Sequence, residues 1–326
     1  MAFAASPDPR PGNSATLVDL PRGHLLLRSL QTDSAVQYYL YVPGRGGEGA
    51  PVFVTVHGLS RNAEEHATLF VPQAETRGVV LVAPLFDERE HDDFQRLGRA
   101  DRGRRADLTL DTIVGEVASM TGASVEKIRL FGFSGGAQFA HRYTMAHPER
   151  VARAAVASAG WYTFPDPRTD YPYGTRQDGS LPGVVFDPAK FLRVPIAVFV
   201  GLADTTSNNL RQNAQVDGQQ GRTRVARARS WTAAMRQASE ALRLEPLVSL
   251  QEIPGIGHSF RQFMEEGNLG DRVFRALFEA DSGQKYEPDL GTQETRSGWL
   301  RPLEDETIAE TQDDAVAAAR FAGARR

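Results

Sequence analysis

Continuous apolar runs recur along the chain at residues 52–56, 79–83, 128–131, 151–157, 194–200 and 247–250, most bounded by Gly or Pro. A run of four to seven such residues without polar alternation is how a strand buried on both faces reads. Residues 25–27 and 38–42 add two shorter β-type runs near the start. Helical segments are predicted between the runs. One covers 62–77 and is stopped by Gly78. A second covers 107–120, with Leu108, Ile113, Val114 and Val117 as its apolar positions. Others extend from 136 to about 147, over about 225–242 and over 259–279. Pro84 is expected to close the second buried strand. Strands alternating with helices predict an α/β fold with a mostly parallel central sheet, helices on both faces and a strand-rich N-terminus.

Segments without a period set the expected organisation. Residues 1–22 are rich in Pro, Gly and Ser and read as a loose leader. Residues 23–280 then form the main domain, within which 159–190, rich in Pro, Tyr and Asp, read as an insert or small lid. Residues 281–326 form a polar, acidic extension. Residues 85–106 form a long polar loop, acidic at Asp87, Glu88, Glu90, Asp92 and Asp93 and basic at Arg96, Arg99, Arg102, Arg104 and Arg105. Such a loop is expected to be functional or mobile. Its arginines could attract an anionic substrate, or pair with the acids beside them. The glycines of 44–49 match a dinucleotide-binding pattern, but a strand follows rather than a helix, so a hairpin turn is expected.

Composition narrows the chemistry. The chain has 326 residues, 41% hydrophobic and 24% charged, with 37 Lys and Arg against 41 Asp and Glu, a net charge of −4 and no cysteine. Without cysteine there is no thiolate nucleophile, disulfide, Cys-ligated zinc or iron–sulfur cluster. The near-neutral balance argues against a general nucleic-acid binder. No run approaches the ~20 apolar residues that span a bilayer. The N-terminus lacks a basic start followed by an apolar core, so no signal peptide is read and a cytoplasmic location is expected.

One motif carries nucleophilic chemistry. Gly132-Phe133-Ser134-Gly135-Gly136 is a G-x-S-x-G that follows a predicted buried strand and opens a helix. A sharp strand-to-helix turn would raise the Ser134 hydroxyl at the carboxyl edge of the sheet, beside a helix N-terminus. A serine nucleophile needs a base, and the base needs an orienting acid. Of seven histidines, His258 lies just after the last predicted strand and is the expected base, with His91 a weaker alternative. Asp204 follows the strand at 196–200 through a short loop and is the expected acid. Asp187, which precedes a strand, is its rival. An oxyanion hole needs backbone N–H donors. Gly135 supplies one, and Leu59, in the His57-Gly58-Leu59-Ser60 loop after the first buried strand, is the candidate for the second. His57 is read as organising that loop, with Ser60 bonded to it. Phe133, Trp161 and Tyr162 are candidate pocket residues, although Trp161, Tyr162 and Phe164 could equally pack the insert.

These motifs and their order, His57-Gly58, the G-x-S-x-G, Asp204 and His258, resemble the α/β-hydrolase superfamily. Within it the chain is similar to the single-domain esterase branch that includes feruloyl-esterase-like and polyhydroxybutyrate-depolymerase-like proteins. The likeness covers roughly residues 25–280. It implies a serine carboxylic-ester hydrolase that passes through an acyl-enzyme carried by Ser134, His258 and Asp204. It also implies a small-molecule ester substrate and no metal or organic cofactor. The same triad would serve an amidase, a peptidase or an acyltransferase, and a hydrolase fold can also be a non-catalytic ligand-binding protein.

Overall fold

Neighbouring residues of the central strands point to opposite faces of the sheet, and both faces are covered. In β3 (Pro51–Val56), Val52, Val54 and Val56 join one core while Phe53 joins the other. In β4 (Val80–Leu85), Val80 and Val82 separate in the same way from Leu81 and Ala83. With both faces buried, no polar alternation can survive in the sequence, which is why these runs read as continuously apolar. The computed structural model describes residues 20–99, 103–206 and 210–279. They form one eight-stranded sheet that also contains β1 (Leu25–Leu30), β2 (Asp33–Tyr41), β5 (Ser124–Phe133), β6 (Val151–Ala157), β7 (Ile196–Gly201) and β8 (Val248–Ile253). The strand order is β1-β2-β4-β3-β5-β6-β7-β8. β2 is antiparallel to both β1 and β4, and the remaining pairs are parallel.

Helices α2 (Ala106–Thr121), α3 (Gly135–Ala146) and α6 (Arg224–Ala241) pack on one face through residues such as Ile113, Phe139 and Trp231. Helices α1 (Ala63–Arg77), α7 (Phe260–Glu265) and α8 (Leu269–Phe274) cover the other through Phe70, Phe260 and Phe274. The connection after β3 leads outward to β4, whereas the one after β4 crosses back to β5. The ends of β3 and β5 therefore meet where the winding direction reverses, which is where open α/β sheets form crevices.

Several sequence expectations change. Pro84 does not close its strand: β4 runs to Leu85, and Pro84 pairs with Tyr38 of β2. The register with β3 ends at Val82, so one side of β4 is free of the ladder there and a residue without an N–H is tolerated. The glycines of 44–49 do not turn a hairpin, because β4 lies between β2 and β3. The 85–106 segment is not a solvated loop. It contains a 3-10 turn, Phe94–Arg96, and buries Phe86, His91, Asp93, Phe94, Arg96 and Leu97. Leu108 is exposed, and Leu110 takes its place in the core. The helix expected over 259–279 breaks at 266–268, where Asn268 is left-handed (φ 48°) and a Cβ on Gly267 would lie 2.7 Å from the Phe263 carbonyl oxygen. A short helix that the pattern did not reveal, α5 (Ala214–Gln220), is capped by the Asn213 side chain. A four-residue helix, α4 (Pro188–Phe191), ends the irregular insert. The predicted extension at 281–326 and all but the last three residues of the predicted leader lie outside the described residues.

Candidate active site

Ser134 stands between the end of β5 and the first turn of α3, with φ 52° and ψ −112°. A residue with a Cβ rarely adopts that region, and it persists only where the surroundings over-determine it. They do so here by close backbone approach. A Cβ on Gly132 would lie 2.1 Å from the Gly136 carbonyl oxygen, and one on Gly136 would lie 2.0 Å from that of Val56. The two outer glycines of the motif are thus dictated by sterics. The Ser134 N–H donates to the Ala157 carbonyl at 2.9 Å, which ties the turn to β6.

Two other strand ends bring partners to this hydroxyl. Ser134 Oγ lies 3.0 Å from His258 Nε2, and His258 Nδ1 lies 2.9 Å from Asp204 Oδ2. An Nδ1–H donated to the carboxylate leaves Nε2 to accept from the serine. Phe133 stacks on the imidazole, with centroids 5.1 Å apart and planes at 25°. The loops holding Asp204 and His258 are laced together. The Leu202 and Ala203 amides donate to the Ile253 and Ile256 carbonyls, and a Cβ on Gly201 would lie 2.1 Å from the latter oxygen. Asp204 is fully buried. Burial opposes its ionisation, but the hydrogen bond from His258 and the charge of Arg224 outweigh that and hold its carboxyl below the usual range. Arg224 was not singled out in the sequence. It sits among Arg222, Arg227 and Arg229, and nothing in the spacing distinguishes it. The rival acid Asp187 lies elsewhere and caps α4.

The loop after β3 runs beside the nucleophile turn. The Leu59 amide nitrogen would be 3.2 Å from a Cβ on Gly135, and a Cβ on Gly58 would be 3.5 Å from that of Ser134. The backbones of Leu59 and Gly135, the two proposed oxyanion donors, are therefore neighbours. His57 is completely buried beneath the loop. Its Nδ1 donates to the Gly58 carbonyl at 2.7 Å, and its Nε2 accepts the Phe86 N–H at 3.0 Å. Burial pushes its pKa down to about 4, so it stays neutral with both nitrogens engaged. Ser60 does not bond to it. The Ser60 hydroxyl reaches Asn62 Oδ1 instead, at 2.9 Å.

The remaining candidates separate into distinct roles. Tyr162 has no exposed surface and stacks on Trp231 with centroids 4.8 Å apart, so it packs the insert rather than lining an open pocket. Trp161 is 4% exposed, between Arg142 at 4.1 Å and Arg211 at 5.3 Å. Of the arginine run, Arg96 pairs with Asp93 at 2.6 Å, Arg99 with the same Asp93, Arg104 with Glu90 at 2.6 Å and with Asp33 of β2, and Arg105 with Asp107, while Arg102 lies outside the described residues. His91 meets Thr109, and His141 and His147 bond Ala137 and Asp107, away from Ser134. Among the described residues no helix is long and apolar enough to cross a membrane.

No family model and no curated protein matches the sequence. Solved structures do match the fold. Poly(aspartic acid) hydrolase-1 from Sphingomonas sp. KT-1 superposes with a TM-score of 0.65 at 25% identity, over 78% of this chain and 99% of that one. LpqC, a poly(3-hydroxybutyrate) depolymerase from Bordetella parapertussis, gives 0.63 at 25% identity, over 77% and 94%. An S-formylglutathione hydrolase from Agrobacterium tumefaciens shares the fold at 15% identity, with a TM-score of 0.52 over 78% and 94%. The chain is a hydrolase with the α/β-hydrolase fold, similar to a poly(aspartic acid) hydrolase and a poly(3-hydroxybutyrate) depolymerase.

Proposed function

We propose that the chain is a serine carboxylic-ester hydrolase that works through an acyl-enzyme. The observation that carries this reading is the continuous Ser134–His258–Asp204 chain of 3.0 and 2.9 Å contacts, set on a turn with a positive φ at the serine. In this reading Ser134 Oγ attacks the ester carbonyl as His258 Nε2 takes its proton. Asp204 holds the imidazole tautomer and stabilises its charged form. The Leu59 and Gly135 amides receive the oxyanion, an interaction worth about 2.7–4 kcal/mol per donor where one has been removed from another enzyme. The protonated His258 delivers its proton to the leaving alcohol. Water then repeats the sequence to release the acid and restore the serine.

The decisive experiment is hydrolysis of p-nitrophenyl esters from acetate to dodecanoate by the wild type and by Ser134→Ala. Turnover that vanishes in the variant supports the reading, and the chain-length profile then measures the acyl pocket. Equal background from both proteins overturns it. A second reading, hydrolysis of amide bonds by the same residues, draws on the neighbour named for poly(aspartic acid). It predicts turnover of anilides at rates comparable with the esters.

A further inference from the structure

The two oxygens of Asp204 have different partners. Oδ2 lies 2.9 Å from His258 Nδ1, and Oδ1 accepts from Arg224 Nη1 at 3.1 Å. Arg224 is 3% exposed and Asp204 1%, so this ion pair is shut off from water. Arg224 opens α6, whose Thr223 cap holds the first turn in place, while Asp204 hangs from the loop after β7. The pair therefore joins two elements, and each fixes one side of the carboxylate.

We propose that Arg224 is a positioning residue for the reaction: by holding Asp204 Oδ1 it aims Oδ2 at His258 and keeps the carboxylate ionised in acid, so that activity extends to lower pH. The proposal rests on the ester-hydrolase reading above. Three titratable groups face Asp204: His258 from the turn after β8, Arg224 from α6, and Tyr162, whose phenol lies close enough to feel the carboxylate's charge. Arg227 faces Arg224 as a like charge, and is itself paired with Asp217 at 2.8 Å. The cation at 3.1 Å stabilises the ionised carboxylate directly. It therefore moves protonation of Asp204, and with it loss of the carboxylate that orients His258, to lower pH.

The test compares the wild type, Arg224→Gln and Arg224→Lys in kcat/KM for one aryl ester across the pH range over which the fold holds. In Arg224→Gln the acid limb should move up by about one pH unit, a loss of about tenfold on the limb beyond any fall in the alkaline plateau. Arg224→Lys, which keeps the charge, should recover most of that shift. A uniform loss at every pH with the limb unmoved would make Arg224 a structural brace only and overturn the proposal. Should Arg224→Gln not fold, Arg224→Met, which keeps the apolar stem, takes its place. The carboxyl carbon of Asp204 is also followed by NMR in the wild type and in Arg224→Gln. Its protonation should set in at higher pH in the variant, and an unchanged titration overturns the proposal. If the wild type cleaves no ester, the hydrolase reading fails, while the carboxyl resonance still decides what Arg224 does to Asp204.

Discussion

At the scale of single residues, the site depends on atoms that have no room to move. A methyl group on Gly136 would meet the Val56 carbonyl oxygen at 2.0 Å, and backbone cannot yield that much without opening the turn. Gly136→Ala is therefore expected to lose both activity and several degrees of Tm, read by calorimetry beside the ester assay. Asp204→Asn makes a cleaner separation. Its shape is conserved, but the amide cannot hold the His258 tautomer as the carboxylate does. A fall in kcat of about 10⁴ is expected, with KM little changed. A variant that kept a tenth of wild-type kcat would remove Asp204 from its role. In the proposed mechanism His258 is the base of the same step, so activity should rise with pH, and a profile flat from about pH 5 to 9 would count against that role.

At the scale of elements, helix ends can be tested without touching the site. Gly78 ends α1 in the left-handed region, with φ 64°, and its N–H donates to the carbonyls of Ala74 and Glu75. A side chain there costs about 1 kcal/mol through backbone strain. Gly78→Ala should thus lower Tm by a few degrees while kcat/KM stays at the wild-type value. Loss of activity at unchanged Tm would mean that α1 is coupled to the site through His66, which stacks on Phe260. The helix stop was legible from its glycine because a left-handed cap has a residue-type signature. The break at 266–268 and the start of α5 were not. They depend on Phe263 lying against Gly267 and on the Asn213 side chain turning back to Val216, contacts that follow from where the chain has already gone.

At the scale of the whole molecule, four histidines are buried. His57, His66, His91 and His141 have no exposed surface, and burial depresses the pKa of each. In the unfolded chain they take up protons near pH 6.5, whereas folded His57 does so only at about 4. The unfolded state thus binds more protons between those values, and stability falls as pH drops through that window. For His57 alone the loss is on the order of 3 kcal/mol. A Tm that declines steadily between about pH 6.5 and 4 is expected by scanning calorimetry, with His57→Gln flattening part of the slope. A Tm independent of pH across that window would contradict the burial. The internal ion pairs at 90–104 belong to the same scale. Their sequence left two readings open, an anion trap or pairing with the acids beside them, because charge order along a chain does not say which charges meet across it, and the structure shows the pairing.

The sequence by itself determined the layers and the chemistry on offer. Apolar runs at residues 52–56, 79–83 and 128–131 can be satisfied only by strands covered on both faces, and the glycines flanking Ser134 demand a close-packed turn. Those constraints are local in the chain, so they leave a local mark. Which residues would share one space was decided by the tertiary structure. Ser134 and His258 are 124 positions apart, and Arg224 reaches Asp204 across 20. The histidine and the aspartate could be anticipated because each follows a strand at the same sheet edge. Arg224 could not, since its helix meets the β7 loop only after both have packed on the sheet. Tyr162 looked as suited to a pocket as Phe133 until stacking on Trp231 took it into the core, a choice made by volume and burial rather than by residue type.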